Sequence, residues 1–110
     1  MSALATPGFT ALCAAEEVWI GEMLEARVGP HRVLLLNVEG ELHAYEGVCP
    51  HQGVPLAEGD FDGRTLVCRA HLWEFDAASG RSLNPAGQCL RRFPVKVVDG
   101  QVLVGEAPLA

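Results

Sequence analysis

Cys49 and His51 stand one residue apart in CPHQG, and Cys68 and His71 stand two apart in CRAHLWEFD. Thiolate sulfur and imidazole nitrogen both suit transition metals and iron–sulfur centres. Sixteen residues separate His51 from Cys68. Each pair falls where a strand signal gives way to a turn signal, so two hairpin-like loops could face each other with four ligands between them. Three accounts compete. The residues could be unrelated core cysteines and surface histidines, the usual reading of a lone Cys or His but a poor one for two short-spaced pairs in a Pro/Gly-rich region. They could hold a structural zinc ion, although zinc fingers pair Cys with Cys and His with His, and each pair here is mixed. They could hold a two-iron cluster with both thiolates on one iron and both imidazoles on the other. Mixed pairs suit that last arrangement, because each loop then gives one ligand to each iron.

The rest of the chain must position those pairs. Its 110 residues have room for a single domain, residues 1–110. Hydrophobic residues make up 49% and charged residues 20%, enough for a packed core and too little charge for wholesale disorder. A core this small gains from fixing by a metal or a disulfide. The net charge of −6 argues against a nucleic-acid partner, which would need a basic face. No apolar run is long enough to span a membrane. The N-terminus has neither a positive region nor a continuous apolar block, so no secretory signal is expected and the cytoplasm is the expected compartment.

Twelve glycines and seven prolines cut the chain into short pieces. Alternating or β-branched apolar runs predict strands over 9–13, 23–28, 33–38, 41–47, 65–68, 72–76, 93–98 and 102–104, with a helical turn over 14–18. Glu39-Gly40 and Asp99-Gly100 are turn signals. The expected fold is all-β, an antiparallel sandwich or barrel of about eight to ten short strands. The stretch from 49 to about 88 fits this picture badly. It is rich in Gly, Pro and polar residues, and an irregular segment of that length is usually functional. Something other than a hydrophobic core is expected to hold it. No nucleophile elbow, phosphate loop or dinucleotide glycine pattern is present.

The C-x-H and C-x-x-H pairs resemble the Rieske ferredoxin pattern, and the resemblance runs from VWIGEM to RFPVKV, essentially the whole chain. CRAHLWEFDAASGRSLNP and CLRRFPVKV narrow it to ferredoxin components of bacterial multicomponent monooxygenases of the toluene 4-monooxygenase kind. The resemblance implies a Rieske fold, with a base of antiparallel strands carrying a small cluster-binding insertion over about 48–87. It implies one [2Fe–2S] cluster per chain, with Cys49 and Cys68 on the inner iron and His51 and His71 on the outer iron at an exposed tip. Neutral imidazole lets its iron hold an added electron more readily than anionic thiolate does. Rieske potentials accordingly run from ~−150 to ~+300 mV, against ~−400 mV for all-Cys plant-type clusters.

By the same resemblance the chain is a one-electron carrier and not an enzyme. An NADH-dependent flavin/iron–sulfur reductase would reduce it, and a diiron hydroxylase acting on an aromatic or alkene hydrocarbon would accept the electron. It would work as a monomer in transient complexes, without nucleic acid or membrane. A ring-hydroxylating dioxygenase as acceptor, or a place as the small subunit of a nitrite reductase, are the alternatives. Respiratory Rieske proteins carry an extra Cys in each cluster loop, joined as a disulfide; the comparable positions here are Val54 and Ala70, and Cys13 and Cys89 lie outside the loops. No loop-to-loop disulfide is expected, which suits a reducing compartment. Leu72-Trp73 stands where that pattern has Gly-Ser. With fewer donors near the sulfurs, a lower potential is expected.

The remaining candidates read as structural. Cys13 sits among Ala and Leu and is expected to be a buried inert thiol. Cys89 follows a turn over 85–87 and is expected to be structural as well. His43 should point outward from its strand into solvent, and His31, beside Pro30, should lie in a loop. Trp73 reads as a core or shielding residue, with interface anchoring as its other use. Pro50, Gly53, Pro55 and Pro85 are turn residues that would keep backbone close and water out. Glu58, Asp60 and Asp62 form an acidic group, a solvated loop that could also steer a basic partner.

Overall fold

Val33 to Val38 reads VLLLNV, and all six residues are buried. A strand with one wet face alternates apolar and polar side chains; this one buries both faces. In the computed structural model, which describes residues 8–48, 55–69, 73–84 and 89–105, that segment is the middle of β3 (His31–Val38). It lies between β2 (Met23–Val28) and β4 (Glu41–Glu46), and β9 (Arg92–Phe93) pairs with the far side of β4. Glu39-Gly40 joins β3 to β4 with φ of 54° and 100°. Both central residues of a tight hairpin turn need positive φ, which glycine supplies without strain.

A second sheet has the order β1 (Phe9–Ala14), β11 (Gln101–Gly105), β10 (Val95–Val98). Asp99-Gly100 makes its hairpin, as the sequence predicts, with φ of 51° and 76°. A third sheet, β5 (Asp60–Phe61), β6 (Thr65–Val67), β7 (Glu74–Asp76) and β8 (Ser82–Asn84), falls between β4 and β9 in the chain. Every strand pairing among the described residues is antiparallel. The expected helical turn is a single 3₁₀ turn, Ala15–Glu17, and a second occurs at Leu56–Glu58. Among the described residues no helix is long and apolar enough to cross a membrane.

β3 alternates between two cores. Leu34, Leu36 and Val38 pack with Tyr45 against Leu56, Leu66, Phe75, Ala77 and Leu90. Val33 and Leu35 pack with Ala44 and Phe93 against Cys13, Val102 and Val104. Truncating a leucine on either face to alanine would cost about 2–5 kcal/mol.

Three expectations are corrected. The stretch from 49 to 88 does have a hydrophobic core: Leu56, Leu66 and Phe75 are all fully buried. Eleven strands form among the described residues, because β5 and β8 are too short to show a periodicity in sequence. The single strand expected over 93–98 is two, broken at Pro94. Proline has no N–H to give a ladder, and the chain switches there from the β4 sheet to the β11 sheet.

Candidate functional site

Of the four expected ligands the structure describes Cys68; Cys49, His51 and His71 lie outside the described residues, as do Pro50, Gln52, Gly53, Leu72 and Pro85. Cys68 follows the last residue of β6 and is 1% exposed. Its backbone N–H donates to the Trp73 carbonyl at 2.8 Å, so the two residues flanking 69–72 are held together. The residues flanking 49–54 are held together in the same way. Val48 bridges Pro55, and the Leu56 N–H donates to the Gly47 carbonyl at 2.9 Å. Residues 85–88 are flanked by a bridge between Arg81 and Cys89 and by the Leu90 N–H donating to the Gly80 carbonyl at 2.8 Å.

The first two of these bases meet. Asp60 pairs with Val67, and the turn before it, Leu56–Glu58, lies against the end of β6. A Cβ on Gly59 would collide with the Val67 carbonyl oxygen, so only glycine allows that approach. Arg69 reaches over to Glu58 at 3.1 Å. Leu56 and Cys68 belong to one core cluster, with Trp73 packed against it. The exit of the segment that carries Cys49 and His51 is thereby brought to the entrance of the segment that carries His71.

Cys68 is 1% exposed and shares a core cluster with Leu56, Leu66 and Phe75, and a bare thiolate anion in such a place is costly. Coordination to a metal cation removes that cost and deprotonates the thiol outright. Among the described residues no disulfide joins Cys13, Cys68 or Cys89 to another. The buried thiol and the Cys/His/Cys/His donor set therefore fit an iron–sulfur group. Cys13 is buried as expected, its thiol pKa raised by burial and then by Glu17. Cys89 is exposed.

Trp73 is half-buried, tilted against Phe75 with ring centroids 6.5 Å apart, which is the shielding role. The acidic group is largely structural. Glu58 pairs with Arg69, and the Asp62 carboxylate accepts the N–H groups of Thr65 at 2.7 Å and Arg64 at 2.9 Å. Those backbone donors, Thr65 first, hold the Asp62 carboxyl below its ordinary value.

Both spare histidines differ from expectation. His31 is the first residue of β3 and sets its ring edge-on to Phe93 at 5.3 Å. His43 is not solvated; only 12% of its side chain is exposed. Arg92 Nη2 donates to His43 Nδ1 at 3.1 Å and to the Ala78 carbonyl at 3.0 Å. His43 Nε2 is shut away from water, with the Glu41 carboxylate at 3.4 Å and no hydrogen-bond partner among the described residues. Burial, and then the Arg92 guanidinium, lower the His43 pKa against a smaller opposing pull from Glu41. Tyr45 lies beside this group, below Arg92 at 5.9 Å, and its hydroxyl donates to the Ala77 carbonyl. Burial pushes that phenol up to about 12. Arg92 and Tyr45 thus tie β4 and β9 to the turn between β7 and β8. Residue type and strand period carry no signal for this contact.

A model of the Rieske [2Fe–2S] domain matches residues 8–94. The chain is 50% identical over 100 residues to the ferredoxin component of the alkene monooxygenase system of Xanthobacter autotrophicus, covering 89% of this chain and 81% of that one. It is 32% identical over 92 residues to the ferredoxin component of the naphthalene 1,2-dioxygenase system of Pseudomonas aeruginosa, covering 83% and 88%. Among solved structures it matches a chain from a complex of reduced oxygenase and oxidized ferredoxin in carbazole 1,9a-dioxygenase. That match has a TM-score of 0.86 at 27% identity, over 96% of this chain and 99% of the other.

Proposed function

The chain belongs to the Rieske [2Fe–2S] family, and from that premise we propose that it carries single electrons from an NADH-dependent flavin/iron–sulfur reductase to the diiron hydroxylase of a hydrocarbon monooxygenase. The observation that carries this reading is the 50% identity to a monooxygenase ferredoxin component, set against 32% to a dioxygenase one. In this reading residues 1–110 form one domain and about 48–87 is its cluster-binding insertion. The separate β5–β8 sheet, which falls between β4 and β9 in the chain, supports that division. Cys49 and Cys68 hold the inner iron as thiolates; His51 and His71 hold the outer iron. When bound, the cluster takes up and releases one electron.

The chain's own residues ligate, shield and dock. Leu56, Leu66, Phe75 and Trp73 keep water from the Cys68 side. The pinned bases at Val48–Pro55 and Cys68–Trp73 supply rigid ends for the two ligand segments. Electrons leave by the imidazole edge, with Pro50 and Gln52 at the contact. No residue does substrate chemistry. The partner complexes are transient, so the interfaces are small, and the carrier works as a monomer in the cytoplasm.

Two measurements test this. Cys49→Ala and Cys68→Ala should lose iron and visible absorption, while Cys13→Ser and Cys89→Ser keep both; a wild-type spectrum in Cys68→Ala would refute the ligand set. Reduced protein mixed with a diiron hydroxylase and an alkene or aromatic should give oxygenated product. Product with a Rieske dioxygenase alone would favour the dioxygenase systems instead.

A further inference from the structure

Trp19 and Ile20, adjacent in the loop before β2, are 70% and 69% exposed, the two most exposed large apolar side chains among the described residues. We propose that this loop is a second docking element that inserts into an apolar cleft rimmed by basic residues on the oxygenase component. The proposal rests on the carrier reading above.

The loop is rigid behind its exposed side chains. The Trp19 N–H donates to Glu22 Oε1 at 3.1 Å, and the Glu22 N–H returns to the Trp19 carbonyl at 2.9 Å. Asn37, buried on β3, donates its side-chain amide to the Val18 carbonyl at 2.8 Å, and its carbonyl accepts the Gly21 N–H at 2.9 Å. Gly21 turns the chain at φ +85°. Val18 is pulled into the core while Trp19 and Ile20 are turned out. Ordering a loop is a main cost of association, and here the fold has already met it. Tryptophan is among the residues enriched as interface anchors. A hollow of about 480 Å³ lies elsewhere, against His43; the one beside this loop is about 250 Å³, lined by Ala15, Val18, Trp19 and Asn37, and would take a partner side chain.

Charge selects the occupant. Glu16, Glu17 and Glu22 are exposed around the pair, and residues 1–26 contain no Lys or Arg. A second copy of the chain would bring the same carboxylates face to face, since a two-fold interface pairs a patch with itself. A basic rim is complementary. Position selects the oxygenase. Gly63, in the turn before β6, packs toward Gly21, and β6 runs from that turn to Cys68, roughly 10 Å further on. Monooxygenation consumes two electrons, so the acceptor must be served twice by a one-electron carrier, and an anchor that adds to the electron-exit contact helps that partner most.

The test titrates holo-protein with the purified oxygenase component by calorimetry at several salt concentrations. Trp19→Ala should raise Kd by about 10- to 30-fold, and Ile20→Ser by several-fold. Cluster absorption and reduction potential should stay unchanged. Glu16→Lys should weaken binding and flatten its salt dependence. Kd values for Trp19→Ala and Ile20→Ser within about twofold of wild type would overturn the docking loop. So would a Trp19-dependent dimer in sedimentation, or a loss confined to the reductase. Wild-type protein that cannot reduce the oxygenase would instead overturn the carrier reading, and with it the named acceptor.

Discussion

The Tyr45 hydroxyl donates to the backbone carbonyl of Ala77 at 2.6 Å, joining the middle sheet to the turn after β7 inside a shared core. Both groups are buried, so neither has water as a substitute. Tyr45→Phe keeps the ring and orphans the carbonyl, and should cost about 1–3 kcal/mol in denaturant unfolding. Gly80→Ala should be at least as damaging, because φ there is +79° and a Cβ would stand 2.8 Å from Tyr45 Cε1. Wild-type stability in both variants would remove this tie from the account.

His43 makes stability fall with acid. Its folded pKa is below the unfolded value near 6.5, through burial and then Arg92, with Glu41 and Asp76 opposing. As pH drops, the unfolded chain takes the proton first. The contribution of the neutral ring is complete above about pH 6.5 and is lost as pH falls through the lowered folded value. His43→Gln should therefore lose less stability than wild type between pH 7 and pH 5 in urea titrations.

Gly59→Ala should lower cluster content although it touches no ligand. Its Cβ has no room under the Val67 carbonyl, so the Leu56 turn or the end of β6 must shift. Iron per chain and visible absorption would report the loss; full occupancy would mean that the two bases need not meet so closely.

Removing the cluster should free the ligand segments and spare the third sheet. Metal binding supplies folding free energy, but Leu66 and Phe75 also bury fully against β3. Hydrogen exchange on apo-protein should show lost protection at the Cys68 and Leu56 amides, with β6 and β7 still protected. Uniform collapse of β5–β8 would show that the apolar contacts are insufficient alone.

The reduction potential should lie in the lower part of the Rieske range, below ~0 mV, because Leu72-Trp73 offers no hydroxyl donor and the segments around the ligands hold no second pair of cysteines. A redox titration followed by electron paramagnetic resonance gives the value. A result above about +100 mV would indicate a respiratory-type environment.

Local chemistry was legible in the sequence because it depends on neighbours in the chain. The mixed Cys/His spacing pointed to an iron–sulfur centre, and the chain matches the Rieske [2Fe–2S] domain. Glu39-Gly40 and Asp99-Gly100 turn because glycine accepts positive φ, and Pro94 ends a ladder because it lacks an N–H. The unbroken apolar run along the first half of 33–38 also leaves no wet face there. What covers each face was decided by the tertiary structure: Leu34 and Leu36 meet the third sheet and Leu35 the β11 sheet, and period two is the same whichever partner arrives. Likewise His43 occupies an alternating position that reads as solvent-facing, yet it is buried because Arg92, far along the chain, closes over it to reach Ala78. The apolar side chains at Leu56, Leu66 and Phe75 are too scattered to announce a core by pattern. They become one only when three short antiparallel pairings bring them under Tyr45.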